Sequence, residues 1–255
     1  MPKVDAVPLL EVKELVKRYD GRAVVDRLSF HVRRGEIVGL LGRNGAGKTT
    51  TFRMTVGMID PDVGSVVFDE QDVTALPMYK RAQLGMGYLS QEPSVFQRLS
   101  VEDNLLAILE TMRHLNRRQR LEKADHLMGQ FGLAEHRHQP ARTLSGGERR
   151  KLEIARALVT EPKLIMLDEP FSGVDPKAVE DLQGEILRLQ RERGIAILLT
   201  DHNVRETLRV TDRSYIIHDG HKLAEGTPRD IVRNALVRST YLGSSFRGDE
   251  FDDGR

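Results

Sequence analysis

The sequence contains no cysteine and no tryptophan among its 255 residues, and aromatic residues make up only 5% of it. The absence of cysteine excludes disulfide bonds, thiol catalysis and cysteine-based zinc sites, and it is compatible with a reducing compartment. No apolar run approaches the roughly 20 residues that a membrane-spanning helix needs, and the first ten residues do not resemble a secretory leader. We therefore expect a cytoplasmic chain whose membrane role, if it has one, comes through a partner.

The sequence also lacks an excess of one charge, since Lys and Arg number 39, Asp and Glu number 38, and the net charge is +1. A protein that binds duplex nucleic acid more often shows a clear basic excess, so we expect no nucleic-acid partner. Charged residues make up 30% and hydrophobic residues 39% of the chain, as in an ordinary globular protein. The length allows one large domain or two small ones.

The sequence is organised around the stretch GRNGAGKTT, which fits the phosphate-binding P-loop pattern G-x-x-x-x-G-K-[ST]. An apolar run over residues 37–41 precedes it and a predicted helix follows, which is the context that the motif requires. Lys48 would reach the β and γ phosphates of a nucleotide, and the Thr49 hydroxyl would bind Mg²⁺. The alternative, a glycine turn that binds nothing, is disfavoured by the complete motif with both flanks. The nucleotide-binding residues predicted in this loop are Gly42, Asn44, Gly45, Ala46, Gly47, Lys48, Thr49 and Thr50.

The remaining patterns predict a mixed α/β protein with a P-loop NTPase core. Turn signals divide residues 9–41 into short strands of an N-terminal antiparallel β subdomain. Helical periodicity over about residues 97–160 predicts a helical subdomain inserted between strands of a parallel sheet. We expect residues 1–242 to form a single domain. The polar, acidic tail over residues 243–255 is expected to be mostly disordered.

Asp168 and Glu169 follow the apolar run Leu164–Leu167, which is typical of a buried parallel strand and is expected to lie beside the P-loop strand. In a P-loop ATPase, Mg²⁺ needs a carboxylate besides the threonine hydroxyl, and the attacking water needs a group that orients it. Asp168 suits the first role and Glu169 the second. Two acidic residues after a strand are by themselves a common loop or N-cap feature, and the P-loop makes the catalytic interpretation the stronger one.

Two further polar residues stand at predicted strand ends. His202 follows the next strand, where it could contact the γ-phosphate or Glu169, although a lone histidine at a strand end is more often structural. Gln91 ends an earlier strand, and its amide could approach both the water and Mg²⁺. The alternative for Gln91 is an ordinary polar residue at the start of a loop.

A second anion site is predicted at Leu144–Glu148, where Ser145, Gly146 and Gly147 precede a helix with exposed N–H groups. One ATP already has its binding loop in the P-loop. The second site is explained if it faces the γ-phosphate of an ATP bound to another copy. That arrangement is a two-fold, head-to-tail homodimer with two ATP molecules between the subunits.

In this order and spacing, GRNGAGKTT, YLSQ, LSGGE, LIMLDEP, SGVD and TDHN resemble the nucleotide-binding subunit of an ABC transporter over nearly the whole chain. The resemblance implies that the P-loop binds ATP and that Ser145 and Gly147 bind the ATP of the opposite subunit. It also implies that Asp168 binds Mg²⁺ and that Glu169 is the catalytic base.

The same resemblance gives roles to residues outside these motifs. Gln91 would sense Mg²⁺ and transmit to a transmembrane partner, and His202 would contact the γ-phosphate. Tyr19 would stack on adenine, and Asp175 would lie in the loop that crosses the dimer. Two departures from the family pattern are small: Arg43 replaces a frequent proline, and Gly173 replaces a frequent alanine.

A narrower resemblance joins LSQEPSVFQRLSVEDNL, LSGGERRKLEIARAL and the late VRSTYLGSSFR to the ATPases of bacterial lipopolysaccharide export. It implies a peripheral protein on the cytoplasmic face of the inner membrane, with two transmembrane subunits docking near Gln91, Phe96 and Arg98. The alternatives are the ATPase of a branched-chain amino-acid-type importer and a soluble ABC ATPase that acts on nucleic acid or ribosomes. A single compact cassette without heptads disfavours the last of these.

Overall fold

Two β-sheets organise the chain, and the computed structural model describes residues 7–92, 94–173, 175–243 and 251. The strands are β1 (Leu10–Tyr19), β2 (Arg22–Val32), β3 (Ile37–Gly42), β4 (Val63–Phe68), β5 (Gln71–Asp72), β6 (Met86–Leu89), β7 (Leu164–Asp168), β8 (Ala196–Asp201), β9 (Arg213–His218) and β10 (His221–Gly226). The helices are α1 (Lys48–Val56), α2 (Met78–Gln83), α3 (Val101–Leu109), α4 (Arg117–Gln130), α5 (Gly146–Leu158), α6 (Pro176–Arg193), α7 (Val204–Leu208), α8 (Pro228–Arg233) and α9 (Ala235–Val237). A π-helical turn, Arg238–Leu242, follows α9.

The N-terminal strands form an antiparallel sheet of order β2-β1-β4-β5, as predicted. The expectation of short strands is wrong, because β1 has 10 residues and β2 has 11. The pairing of β1 with β2 shifts register along its length, and Glu14 and Arg27 adopt φ of 48° and 51°. Such bulges interrupt the alternation of buried and exposed residues without ending a strand, so the sequence pattern resembled several shorter strands.

The second sheet has the order β10-β9-β3-β8-β7-β6, with the P-loop strand β3 in its interior. β3 pairs in parallel with β8 and β9, while β7 pairs in parallel with β8 and β6. The expectation that the strand ending in Asp168 lies directly beside β3 is wrong, because β8 lies between them. Since parallel strands end at the same edge of a sheet, the P-loop, Asp168 and the residues after β8 nevertheless meet at one edge.

Helices α3, α4 and α5 lie between β6 and β7 in the chain, within the segment predicted to be helical. Ser100 caps α3 by accepting a hydrogen bond from the Asp103 backbone N–H at 3.0 Å. Leu105, Leu127 and Leu152, one from each helix, are fully or almost fully buried in one hydrophobic cluster that also includes residues of β7 and β8. The helices are therefore packed onto the parallel sheet. The subdomain boundary at residues 97–160 stays a prediction.

The C-terminal part begins with a hairpin of β9 and β10, which turns at Asp219 and Gly220 with φ of 47° and 80°. Helices α8 and α9 then pack against the end of β3 through a small cluster that includes Leu41 and Ile216. The predicted disorder of the tail concerns residues 243–255. Of these, Gly243 and Phe251 are described, with Phe251 partly buried against the same cluster, and residues 244–250 and 252–255 lie outside the described residues. Within the described ranges, no helix combines the length and the apolarity that crossing a membrane requires.

Candidate active site

The P-loop leaves the C-terminal end of β3 and runs directly into α1. Gly45 and Gly47 have φ of 82° and 100°, and a Cβ atom on Gly47 would lie 2.6 Å from the Val24 carbonyl oxygen. Residue 47 therefore has room for glycine alone. Gly47 is also the N-cap of α1 and has no side chain to bond the first N–H groups of the helix. Those donors, with the positive end of the helix dipole, are available to an anion.

Lys48 is only 5% exposed, although it is a charged residue. Its Nζ atom donates hydrogen bonds to the carbonyl oxygens of Gly42 at 2.8 Å and Arg43 at 3.2 Å. Burial lowers the pKa of Lys48, and the carboxylates of Glu169 and Asp168 act in the opposite direction. Because its two hydrogen-bond partners are neutral carbonyls, the ammonium group would gain from a phosphate oxygen in their place.

A cavity of about 490 Å³ lies in front of the loop and collects most of the predicted site residues. Its lining consists of Val24, Asn44, Gly45, Gly47, Lys48, Thr49, Thr50, Gln91, Glu169, Ser172 and His202. Gly42 and Ala46 instead line a neighbouring cavity of about 650 Å³, which His202 also borders. The fold thus brings segments that are far apart in the sequence around one space next to the P-loop.

Asp168 ends β7 and is 3% exposed. Its Oδ2 atom lies 3.4 Å from the Tyr88 hydroxyl, whereas Oδ1 is buried and has no hydrogen-bond partner in the described part of the chain. Burial raises the pKa of Asp168, and the charge of Glu169 raises it further. Burial also raises the pKa of Tyr88, to about 12. A buried carboxylate oxygen without a partner is costly unless a cation or a donor satisfies it, so this position fits a divalent metal ion.

Glu169 is held by contacts from three directions. Its backbone adopts φ of 48°, which is uncommon for a residue with a side chain, and its N–H donates to the Thr200 carbonyl at 2.8 Å. Gln91 Nε2 donates to Glu169 Oε2 at 3.0 Å, and His202 Nδ1 lies 3.4 Å from the same oxygen. The three residues predicted to be catalytic therefore converge beside the P-loop cavity.

The second predicted anion site lies at the N-terminus of α5. Ser145 caps the helix by accepting from the Glu148 N–H at 3.3 Å, and Glu148 returns the contact by accepting from the Ser145 N–H at 2.8 Å. The hydrogen bonds that the Glu148 carboxylate accepts from the Ser145 N–H and hydroxyl lower the pKa of Glu148. A cavity of about 290 Å³ at this helix end is lined by Ser145, Gly146, Gly147, Glu148, Arg150, Lys151, Asp175, Lys177, Ala178, Asp181, Leu182 and Glu185. No residue of the P-loop is among them, so the two predicted anion sites of one chain lie in different cavities.

The other predicted residues lie outside the P-loop cavity. Tyr19 is 47% exposed at the end of β1, with the Lys17 ammonium 5.8 Å from its ring centroid. Asp175 caps α6 by accepting from the Ala178 N–H at 3.0 Å. Phe96 is 44% exposed.

Two side chains that sequence reasoning did not single out support the site. Asp201 is fully buried, and its carboxylate accepts hydrogen bonds from the backbone N–H groups of Phe171 at 3.0 Å and Asn203 at 2.9 Å. It thereby ties the segment after Glu169 to the segment that carries His202. The sequence signal that could have pointed to Asp201 was its position next to His202 in the motif TDHN. Tyr88 had no signal beyond its place in β6, because its contact with Asp168 spans 80 residues.

The P-loop follows a buried parallel strand. At the same sheet edge lie an aspartate that fits a metal ion and a glutamate held by Gln91 and His202. Together these features define a P-loop ATPase. The chain belongs to the family of ABC transporter ATP-binding domains, whose model, described as "ABC transporter", matches residues 25–172. A second model, described as "Branched-chain amino acid ATP-binding cassette transporter", matches residues 221–247. The chain is therefore the ATP-binding and ATP-hydrolysing cassette of an ABC transporter.

Several curated relatives are similar over almost their entire length. The chain is 51% identical over 238 residues to the lipopolysaccharide export system ATP-binding protein LptB of Escherichia coli K12, with 93% of this chain and 98% of the relative covered. It is also 51% identical to LptB of Haemophilus influenzae, with 94% and 99% covered. Among solved structures, the ADP conformation of MJ1267, an ATP-binding cassette of an ABC transporter, is 27% identical with a TM-score of 0.84 and covers 93% of this chain and 100% of that one.

Proposed function

We propose that this chain hydrolyses ATP to drive lipopolysaccharide out of the inner membrane through two transmembrane partner subunits. The support for this substrate is the 51% identity to relatives that carry the function in their name. The observation that supports the assigned catalytic site is the contact of Gln91 and His202 with one oxygen of Glu169 beside the P-loop cavity. On this proposal the chain is bound at the cytoplasmic face of the inner membrane.

Asp168, Thr49 and Gln91 are the residues that we assign to a Mg²⁺ site. The buried Oδ1 of Asp168 without a partner is a hard anionic ligand of the kind that Mg²⁺ prefers. Thr49 supplies a hydroxyl oxygen from the first turn of α1, and Gln91 supplies an amide oxygen. Mg²⁺ bound there would neutralise charge on the phosphate oxygens.

Glu169 is the general base in this proposal. Gln91 and His202 hold its Oε2 atom, and we assign Oε1 to the water that attacks the γ-phosphate. The carboxylate orients this water and accepts its proton. His202 would contact the γ-phosphate through its second ring nitrogen, and Lys48 would exchange its two carbonyl contacts for phosphate oxygens.

The functional unit that we propose is a homodimer. Ser145, Gly146 and Gly147 lie in a cavity separate from that of the P-loop. In a head-to-tail pair, the α5 N-terminus of one copy would face the ATP held by the P-loop of the other. Asp175 would lie at the crossing between the copies, and Tyr19 would stack on the adenine ring. Closure of the dimer would thus complete each site before hydrolysis.

The proposed docking surface for the transmembrane partners lies near Gln91, Phe96 and Arg98. Phe96 is 44% and Leu99 is 39% exposed, and Arg98 beside them is exposed as well. The Arg156 guanidinium lies 4.5 Å from the centroid of the Phe96 ring and makes a cation–π contact with it. An apolar surface next to Gln91 would link partner movement to the contact between Gln91 and Glu169.

The assignment of Glu169 is tested by Glu169→Gln, which keeps the shape of the side chain and removes the base. We expect retained ATP binding, a dimer that persists with MgATP, and a kcat for phosphate release lowered by about 10²- to 10⁴-fold. Glu122→Gln, at an exposed position of α4, is the matched control and should keep the wild-type rate. Wild-type turnover in Glu169→Gln would rule out Glu169 as the base.

The substrate is tested by purifying the tagged chain from membranes in detergent and assaying ATP hydrolysis of the complex in lipid. We expect two membrane proteins to copurify and lipopolysaccharide to stimulate hydrolysis. The match of residues 221–247 to a branched-chain amino acid cassette model makes the importer ATPase the second candidate. Stimulation by a branched-chain amino acid with its binding protein, and none by lipopolysaccharide, would establish that candidate instead.

A further inference from the structure

The C-terminal segment after β10 reaches the start of the P-loop. α9 and the following π-helical turn pack into the cluster that contains Leu41, the last residue before the loop, with Val237 fully buried. At the end of this turn, the Tyr241 hydroxyl accepts a hydrogen bond from the Gly42 backbone N–H at 3.1 Å. The two residues are 199 positions apart in the sequence, so the contact exists only in the folded chain.

The peptide groups of Gly42 are held from two sides. Tyr241 accepts from the Gly42 N–H, and Lys48 donates to the Gly42 carbonyl oxygen at 2.8 Å. A Cβ atom on Gly42 would lie 2.4 Å from the Ile217 carbonyl oxygen, so this residue is also closely packed against β9. The entrance of the P-loop is therefore fixed by one contact from the loop itself and one from the C-terminal segment.

These two contacts respond differently to a nucleotide at the P-loop. On the proposed function, Lys48 turns its donors from the loop carbonyls to phosphate oxygens, whereas Tyr241 accepts from the Gly42 N–H and lines the neighbouring cavity with Gly42 and His202. Burial raises the pKa of Tyr241, so its hydroxyl stays neutral at physiological pH. Of these two contacts on Gly42, the Tyr241 hydrogen bond is therefore the one that remains when Lys48 contacts a phosphate.

We propose that Tyr241 is a positioning residue that keeps the entrance of the P-loop in its binding geometry when Lys48 moves to the nucleotide. Without this hydrogen bond the entrance of the free loop would have to be ordered when the nucleotide binds, and that ordering cost lowers the affinity. The inference rests on the proposed nucleotide site at the P-loop. It assigns the C-terminal segment a part in ATP binding.

The test is Tyr241→Phe, which removes the hydroxyl and keeps the ring. Initial rates of phosphate release against MgATP concentration should show a KM raised about three- to tenfold, as for the loss of one hydrogen bond, with kcat nearly unchanged. The Kd for ATP measured by calorimetry should rise by the same factor. An unchanged KM and Kd in a folded Tyr241→Phe protein would overturn the proposal.

Three further variants separate the possible causes. Tyr79→Phe changes a tyrosine of α2 that is 61% exposed, and it should leave KM and thermal stability at wild-type values. Leu242→Ala removes packing from the same C-terminal cluster and should lower the unfolding temperature without changing the Kd for ATP. If the Kd rises as much as in Tyr241→Phe, packing of the segment and not the Tyr241 hydroxyl is responsible, and the proposal fails. Lys48→Ala should abolish binding, and if it does not, the proposed nucleotide site fails independently of Tyr241.

Discussion

Asp168→Asn should make the protein more stable in the absence of nucleotide. The wild-type carboxylate is buried with one oxygen lacking a hydrogen-bond partner among the described residues, and the nearby Glu169 repels its charge. An unsatisfied buried polar atom costs about 1–3 kcal/mol, and more when it is charged. Asparagine removes the charge but keeps a polar atom at the same place. We therefore expect a gain of about 1 kcal/mol, or about 2–4 °C in unfolding temperature for a protein of this size.

The pH dependence of this gain follows from the raised pKa of Asp168. Because the folded state holds this proton more tightly than the unfolded state, wild-type stability falls as pH rises from about 3.9 through the folded-state pKa. Asparagine does not titrate. The difference between variant and wild type should therefore be complete above the folded-state pKa, for example at pH 8, and should shrink as the pH approaches about 4.

Thermal unfolding of both proteins between pH 8 and 4.5, with and without MgATP, measures these effects. MgATP at 100 times its Kd stabilises a protein by about 2.7 kcal/mol, so wild type should overtake the variant, which lacks the proposed metal ligand. Glu122→Gln, whose side chain is 59% exposed, should track wild type throughout. An Asp168→Asn protein that is less stable than wild type at pH 8 without nucleotide would refute the reasoning.

Two further predictions concern the supports of the P-loop. Arg81 is 1% exposed and donates to four backbone carbonyls at 2.7–2.9 Å, two of them in α1 and two in the segment just before α2. Arg81→Leu would leave these carbonyls unpaired and should lower the free energy of unfolding in urea by about 3–5 kcal/mol. Gly42→Ala places a Cβ atom 2.4 Å from the Ile217 carbonyl oxygen, and we expect about 1–3 kcal/mol of destabilisation together with weaker ATP binding by calorimetry. Gly129→Ala in α4, where a Cβ atom meets nothing within 4 Å, should instead stabilise by up to about 1 kcal/mol. Equal effects of the two glycine substitutions would contradict the packing argument.

The local motifs allowed much of the fold to be predicted. The P-loop between strand and helix and the helical periodicity over about residues 97–160 depend on residues that are close in the sequence. The lengths of β1 and β2 were underestimated because their bulges disturb the alternation on which strand prediction relies. The neighbour of β3 was wrongly predicted, since an uninterrupted apolar run indicates a buried parallel strand without indicating its place in the sheet.

For the candidate site, the sequence by itself determined which chemical groups are present: the glycine loop with Lys48 and Thr49, the adjacent carboxylates Asp168 and Glu169, and the α5 N-terminus. The tertiary structure decided how they are arranged. It placed β8 between β3 and β7 and brought Gln91 and His202 to one oxygen of Glu169. It left the α5 N-terminus in cavities that no P-loop residue lines. A short motif determines local backbone geometry, because that geometry depends only on neighbouring residues. The contacts within the site join distant segments, so they depend on the order of strands in the sheet.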